Sequence, residues 1–420
     1  MATLRDYIKI KHGYAFKGKN ISTIDNNVVL VTPGNFAIGG GFKEDKCKYF
    51  DAEYPDEYVL KEDDLIVTMT DLSKAIDTLG YSALVPKSKD NRIYLHNQRI
   101  GLVSLDTDRI DKHYLYWFMR SPYYQRTVAT TSTGSTVHHT SPDRIMDIEI
   151  DLPDLVEQKK ISTLLDNIEQ KIISNTQINK NLEEQAVVLF RSWFSAFSLS
   201  PSIPRVNSEF GEIPENFAVV KVGSLPMLVT DYVANGSFAS LKANVNLYQE
   251  PNYAYFIRNT DLKSGSFGVY VDQHSYEFLS KSTLFGGEII ISNVGDVGSV
   301  FLCPKLDGRM TLGNNIIMLR PEDDHLRYYL YIWFKYLQGQ ALIQGIKGGS
   351  AQPKFNKTDF KNTSVLIPPK DMLTRFHETV APMFETISQR QTETSRLADL
   401  RDTLLPQLMS GEIDVSNLDL

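Results

Sequence analysis

The feature that most constrains this chain is a duplication at an offset of 215 residues. Tyr114-Leu115-Tyr116 recurs as Tyr329-Leu330-Tyr331, Gly134-Ser135 as Gly349-Ser350, and Leu152-Pro153 as Ile367-Pro368. The register then carries on through Ile161/Phe376, Ile172/Ile387, Leu182/Leu397 and Leu189/Leu404. Upstream the offset drifts, as loop insertions make it do: Asp64-Leu65-Ile66-Val67-Thr68 answers Glu288-Ile289-Ile290-Ile291-Ser292, and Leu84-Val85-Pro86 answers Leu302-Cys303-Pro304. A period this long excludes a solenoid and requires a tandem of whole domains. The 420 residues suit that, since each half is long enough to bury its own core.

Each copy opens with short β-branched and aromatic runs separated by Gly, Asn and Pro, which read as strands and turns. Examples are residues 28–32, 65–69 and 102–105 in the first copy, and 253–257, 288–292 and 316–319 in the second. A short aromatic helix (113–119; 328–337) follows, then a polar Gly/Ser/Thr loop, a strand ending in Leu-Pro or Ile-Pro-Pro, and a long helix. In the first long helix, Ile161, Leu165, Ile168, Ile172, Asn175, Asn179, Leu182, Ala186, Leu189 and Trp193 alternate in steps of four and three. Phe376, Val380, Met383, Ile387, Arg390, Thr394, Leu397, Arg401, Leu404 and Leu408 do the same in the second. This is a heptad seam, polar at the same central steps in both copies, where polar residues cost stability and fix register. The expectation is α+β: two repeated α/β domains joined by two long helices that pair as a coiled coil, each about 40 residues and roughly 60 Å long. The boundaries drawn are 1–153, a helix over 154–197, a linker over 198–217, 218–369, a helix over 370–411 and a tail over 412–420. Pro382 is expected to kink the second helix.

The net charge of −7 weighs against a simple nucleic-acid binder, but it is unevenly spread. Residues 370–420 hold five basic and nine acidic side chains, most of the deficit, and both repeated domains are near neutral. A locally basic face is compatible with that. Cys47 and Cys303 form no disulfide or metal framework, Met1-Ala2-Thr3-Leu4-Arg5-Asp6 does not open a secretory leader, and no run of about 18 apolar residues is present. A cytoplasmic protein that does not enter membranes is expected.

Catalytic signatures are missing. There is no G-x-x-x-x-G-K loop, no G-x-G-x-x-G after a strand and no Asn-Pro-Pro-Tyr for amino-methylation of a base. Gly39-Gly40-Gly41 reads as a hairpin tip. Pro153-Asp154 with Glu157-Gln158-Lys159 places its charges within about one helical turn, which does not suit a nuclease, and the adjacent side chains of His138 and His139 diverge too far to share a metal. What remains are loops suited to reading a polymer. Residues 130–140 hold Ser132, Thr133, Ser135, Thr136, His138 and His139, flanked by Arg126 and Arg144; the counterpart at 347–357 holds Lys347, Ser350, Gln352, Lys354 and Lys357. A third stretch, 87–99, supplies Lys87, Lys89, Arg92, Gln98 and Arg99, and Asn293, Arg309 and Asn314 complete the candidates in the second copy. Hydroxyls, backbone amides and Lys serve phosphates, whereas Gln, Asn, Arg and His can read base edges.

The local text then resembles one family. Glu157-Gln158-Lys159-Lys160-Ile161, Phe210-Gly211-Glu212-Ile213-Pro214-Glu215 and, most specifically, Leu400-Arg401-Asp402-Thr403-Leu404-Leu405-Pro406-Gln407-Leu408-Met409-Ser410-Gly411-Glu412-Ile413 are similar to the specificity subunits of type I restriction–modification systems. Two departures are Asn216-Phe217, where the family usually has Trp, and Asp371-Met372-Leu373, where the second copy lacks the Glu-Gln pair. The resemblance implies a non-catalytic adaptor whose two target-recognition domains read the halves of an asymmetric, interrupted duplex DNA target, with the two long helices running antiparallel as a spacer. It implies docking of two methyltransferase subunits carrying S-adenosylmethionine, and of motor–nuclease subunits that use ATP and Mg. The alternatives are a coiled-coil scaffold and a nuclease with an unrecognised site; salt-sensitive DNA affinity separates the first from the family reading, and metal-dependent cleavage by the isolated chain would mark the second.

Overall fold

A computed structural model describes residues 2–71, 76–88, 91–134, 137–349, 352–416 and 418. It divides into two compact units, Met1–Lys171 with Leu397–Leu420, and Ile172–Arg396.

In the first unit, a four-stranded antiparallel sheet runs in the order Ile8–His12, Ile100–Leu105, Leu65–Thr68, Ser82–Leu84. All four residues of Leu65–Thr68 are buried, so the polar alternation of a half-exposed strand is missing. The reason is that both faces are covered: Leu65 and Val67 point into a core shared with the aromatic helix Lys112–Phe118, and Ile66 points into a second core against a five-stranded sheet. That second sheet is mixed, with Val28–Val31 and Ile93–His96 paired in parallel at its middle.

The second unit repeats this plan strand for strand. Its four-stranded sheet runs Met227–Asp231, Ile316–Pro321, Ile289–Ser292, Val300–Leu302, and its five-stranded sheet is built around the parallel pair Ala254–Ile257 and Arg309–Leu312. Ile289 and Ile291 face one core and Ile290 the other. The equivalent aromatic helix, His325–Lys335, buries Tyr328 through Phe334. In both units the layers are helices, a four-stranded sheet and a five-stranded sheet.

The long helices span Leu155–Phe190, continued by a wider-wound turn over Arg191–Ser195, and Lys370–Met409. They pair antiparallel by the seam residues. In the first unit Ile161 and Leu165 share a core with Leu405 and Leu408, and Arg401 donates to Glu169 at 2.6 Å. In the second unit Ala186 and Phe190 share a core with Phe376 and Val380. Phe376 is fully buried, 5.0 Å from the Phe194 ring and 5.8 Å from Trp193, so truncating it to Ala costs about 3–5 kcal/mol. At the polar step Asn175 is fully buried, accepting from Arg390 Nη1 at 2.7 Å and donating to Glu393 Oε2 at 2.8 Å.

Pro382 lies inside the helix Lys370–Met409, which is continuous through it. The carbonyl that its ring leaves without a donor belongs to Glu378 on the exposed side, where water can serve it. The span 198–217 holds structure of its own: Arg205–Ser208 and Gly211–Pro214 form a hairpin, held because Ile213 and Phe217 bury themselves in the second unit's core. Phe217 meets Phe197 edge-on at 5.3 Å, so an aromatic still fills the place of the family's Trp. The missing Glu-Gln pair has a similar account. Buried Gln158 bonds the Asp111 amide and the Arg109 and Pro153 carbonyls, whereas its equivalent, Leu373, is buried in an apolar core.

Candidate nucleic-acid interface

In the first unit three segments converge at one end of the four-stranded sheet. The turn Asn97-Gln98-Arg99 joins Ile93–His96 to Ile100–Leu105. The Arg99 carbonyl accepts from the Met69 amide at 2.9 Å, and the Met69 carbonyl accepts from the Thr140 amide at 3.0 Å. Strand end and turn are thereby tied to the polar loop, whose His138 and His139 pair with Asp71 and Thr70. Buried Asp71 in turn accepts from the amides of Thr78 and Leu79.

The turn itself is held stiffly. The buried His96 ring lies with Nε2 2.8 Å from the Ile100 carbonyl, and burial lowers its pKa, so the neutral ring donates across the turn. The strand Ile8–His12 runs into it: Tyr14 donates to His96 O at 2.8 Å and accepts from Gln98 N at 3.0 Å. Gly13 makes that approach possible, because a Cβ there would lie 2.3 Å from the Asn97 carbonyl oxygen.

The second unit builds the same junction from a different sequence. Its turn is Gly313-Asn314-Asn315, with Asn315 in the left-handed region at φ 65°, which Asn tolerates better than most residues. The Asn315 carbonyl accepts from Asn293 N at 3.1 Å, and the Asn293 carbonyl accepts from Phe355 N at 3.0 Å. The polar loop closes on itself through Gly348 and Lys354 and bridges to Val294. A side chain on Gly313 would meet the Ile257 carbonyl at 2.6 Å.

The candidate residues sort by position. Gln98, Arg99, Ser132, Thr133, His138 and His139 are brought together, with Arg144 donating to Thr133 Oγ1 at 3.1 Å and His139 Nδ1 lying 3.2 Å from Thr70 Oγ1. Arg126 is exposed on the helix Pro122–Thr131 that leads into this loop. In the second unit Asn293, Asn314, Lys347, Gln352 and Lys354 gather at the equivalent junction, all but Asn293 exposed. Four others do not present themselves there as free readers. Arg92 sits at the opposite end of its strand from Gln98, bonded to Glu44 at 3.0 Å and Asp25 at 2.8 Å, with 22% of its side chain exposed. Lys87 is exposed but precedes that same far end. Arg309 begins its strand three residues before Leu312, so the strand separates it from the Asn314 turn, and it lies over the Tyr253 ring. Lys357 is at the junction but is paired with Asp231 at 3.0 Å. Lys89, Ser135, Thr136 and Ser350 lie outside the described residues. Sequence reasoning missed Tyr14 and His12; the signal was the Gly13 between them.

Among the described residues no group of His, Cys, Asp and Glu could hold a metal, and no helix is long and apolar enough to cross a membrane. Gly39, Gly40 and Gly41 are all left-handed and form the tip of a hairpin closed by the antiparallel bridge of Phe36 to Phe42, and Gly39 O accepts from Arg120 Nε at 2.7 Å.

The chain thus repeats one α/β plan, with a matched polar loop in each copy, and joins it to a pair of long helices. The family model described as the type I restriction modification DNA specificity domain matches residues 1–184 and 215–391. The chain therefore belongs to the specificity subunits of type I restriction–modification systems. The specificity subunit of the type I restriction enzyme MjaIX of Methanocaldococcus jannaschii is 27% identical over 327 residues, covering 74% of this chain and 71% of that protein. That of HindI of Haemophilus influenzae is 24% identical over 344 residues, covering 69% and 74%. The crystal structure of the type I system S subunit from M. genitalium superposes with a TM-score of 0.57 at 15% identity, over 97% of this chain and 94% of that one, a likeness of fold.

Proposed function

We propose that each unit reads one half of an interrupted, asymmetric duplex DNA target through its turn-and-loop junction. The carrying observation is that both units tie a turn, a strand end and a polar loop together by the same pair of backbone hydrogen bonds, 99–69–140 in one and 315–293–355 in the other. The side chains on that shared frame differ completely, Gln98, Arg99 and His139 against Asn314, Gln352 and Lys354. A constant frame with variable polar side chains is what reading two unlike half-sites demands, since each base pair shows its own donor and acceptor pattern in the major groove. The exposed Arg and Lys residues around the frame supply phosphate contacts.

On this reading the chain is not an enzyme. It lends specificity to two methyltransferase subunits, which bring S-adenosylmethionine, and to motor–nuclease subunits, which bring ATP and Mg, in the cytoplasm. The seam of the helix pair acts as the spacer between the half-sites. The test is to replace residues 1–153 with the same unit of a relative and map methylated sites made with the methyltransferase partner. One half of the site should change and the other should stay; a change in both halves by a folded chimera would contradict independent reading.

A further inference from the structure

The geometry points to Tyr14 as a base-contacting residue of the first unit, making an uncharged contact beside Gln98. This rests on the proposed reading of DNA by that unit and adds to it a residue outside the polar loops.

Three observations carry the assignment. Tyr14 is pinned to the reading turn by two backbone hydrogen bonds, to His96 and from Gln98, and pairs with Asn97. Its ring is also braced: it lies 5.1 Å from Phe16 edge-on and 5.3 Å from Tyr58, which itself carries Lys11 Nζ 4.6 Å above its face. Despite that bracing, Tyr14 is 41% exposed, next to the exposed Gln98. An aromatic side chain fixed before binding pays little ordering entropy on contact, which favours its use in recognition. The ring carries no charge, so it suits a base edge or a thymine methyl better than a phosphate, a role that Arg99, Arg126 and Arg144 can fill. His12, on the same strand end, approaches the Gln98 carbonyl with Nδ1 at 3.5 Å and closes the other side of the turn.

The experiment measures affinity of the chain, assembled with its methyltransferase partner, for the methylated-site duplex, for duplexes with single changes in either half, and for non-specific duplex across a salt series. Tyr14→Ala should weaken the cognate duplex by about tenfold, the scale of one good base contact. Non-specific affinity, the salt slope and discrimination in the other half-site should not change. Tyr14→Phe keeps the ring and should stay within about twofold of wild type. Tyr14→Lys covers the case of a misfolded alanine variant: it should bind non-specific duplex more tightly and with a steeper salt slope, yet discriminate poorly at one position of the first half-site. Full discrimination by Tyr14→Ala or Tyr14→Lys, or an equal loss by Tyr14→Ala on every duplex with a shallower slope, overturns the assignment while leaving the proposed function standing. A wild-type complex with no preference in either half-site overturns the proposed function itself, and this assignment with it.

Discussion

Asn175 offers a stringent test of the seam, because its side chain is fully buried and makes two bonds to charged partners from the opposite helix. A hydrogen bond to a charged group contributes about 1.5–3 kcal/mol. Arg390 and Glu393 are only partly buried, so water recovers some of what they lose when Asn175 is removed. Asn175→Ala should therefore cost about 2–3 kcal/mol, at or below the bottom of the two-bond sum of about 3–6 kcal/mol. Arg390→Leu alone leaves the buried Asn175 carbonyl oxygen without its donor and should cost about 1–3 kcal/mol. The double variant Asn175→Leu/Arg390→Leu removes both halves of the bond and restores an apolar heptad step, so it should be much less destabilised than the sum, with a coupling of about 1–2 kcal/mol. All of these groups lie in the second unit, which also contains Trp193 and Trp333, whereas Trp117 lies in the first. Urea unfolding followed by tryptophan emission in a Trp117→Phe background thus reads the relevant transition. Additive single and double variants would show that Asn175 and Arg390 do not meet, and the register argued from the heptads would be wrong.

Other expectations follow from particular contacts. Lys347→Ala/Lys354→Ala should weaken binding to every duplex and flatten log affinity against log salt by roughly 0.9 per lost contact; an unchanged slope would place the phosphate contacts elsewhere. Arg92→Ala should leave that slope unaltered and instead slightly lower the stability of the first unit, since it removes ion pairs to Glu44 and Asp25 that are partly open to solvent. His113, with Nδ1 2.6 Å from Asp166 and Nε2 3.7 Å from Asp63, has its pKa raised, chiefly by the Asp166 hydrogen bond. The folded state therefore holds this proton more tightly than the unfolded one. The stabilisation is complete below the ordinary imidazole value of about 6.5 and is lost as pH rises through the raised folded value; thermal unfolding of His113→Gln should lack that dependence.

The seam, the duplication and the α/β content of each copy are legible in the sequence because each leaves a periodic trace. Leu65-Ile66-Val67-Thr68 and Ile289-Ile290-Ile291-Ser292 are continuous apolar runs, and Asn175 and Arg390 break the heptads at matched steps. The loops at 132–139 and 347–354 were legible as polar insertions at equivalent places. What composition could not reveal was which cations were already engaged. Arg92 looks like a phosphate ligand beside Lys87 and Lys89, yet its partners, Glu44 and Asp25, lie 48 and 67 residues away in sequence. Lys357 is neutralised by Asp231, 126 residues distant. The contribution of Tyr14 was hidden for the same reason, since only a strand pairing that joins residues 14 and 97 brings its ring beside Gln98. The hairpin within 198–217 was obscured by its Pro and Gly content, which suits a turn as well as a linker.

The most direct test of reading by two independent junctions is to sequence the methylated adenines in a host that expresses this chain with its methyltransferase partner, comparing wild type, Gln98→Ala and Gln352→Ala. The account predicts an interrupted two-part site for the wild type, relaxed in one half only by Gln98→Ala and in the other half only by Gln352→Ala. Relaxation of the same half by both variants, or a wild-type site in one uninterrupted block, would contradict it.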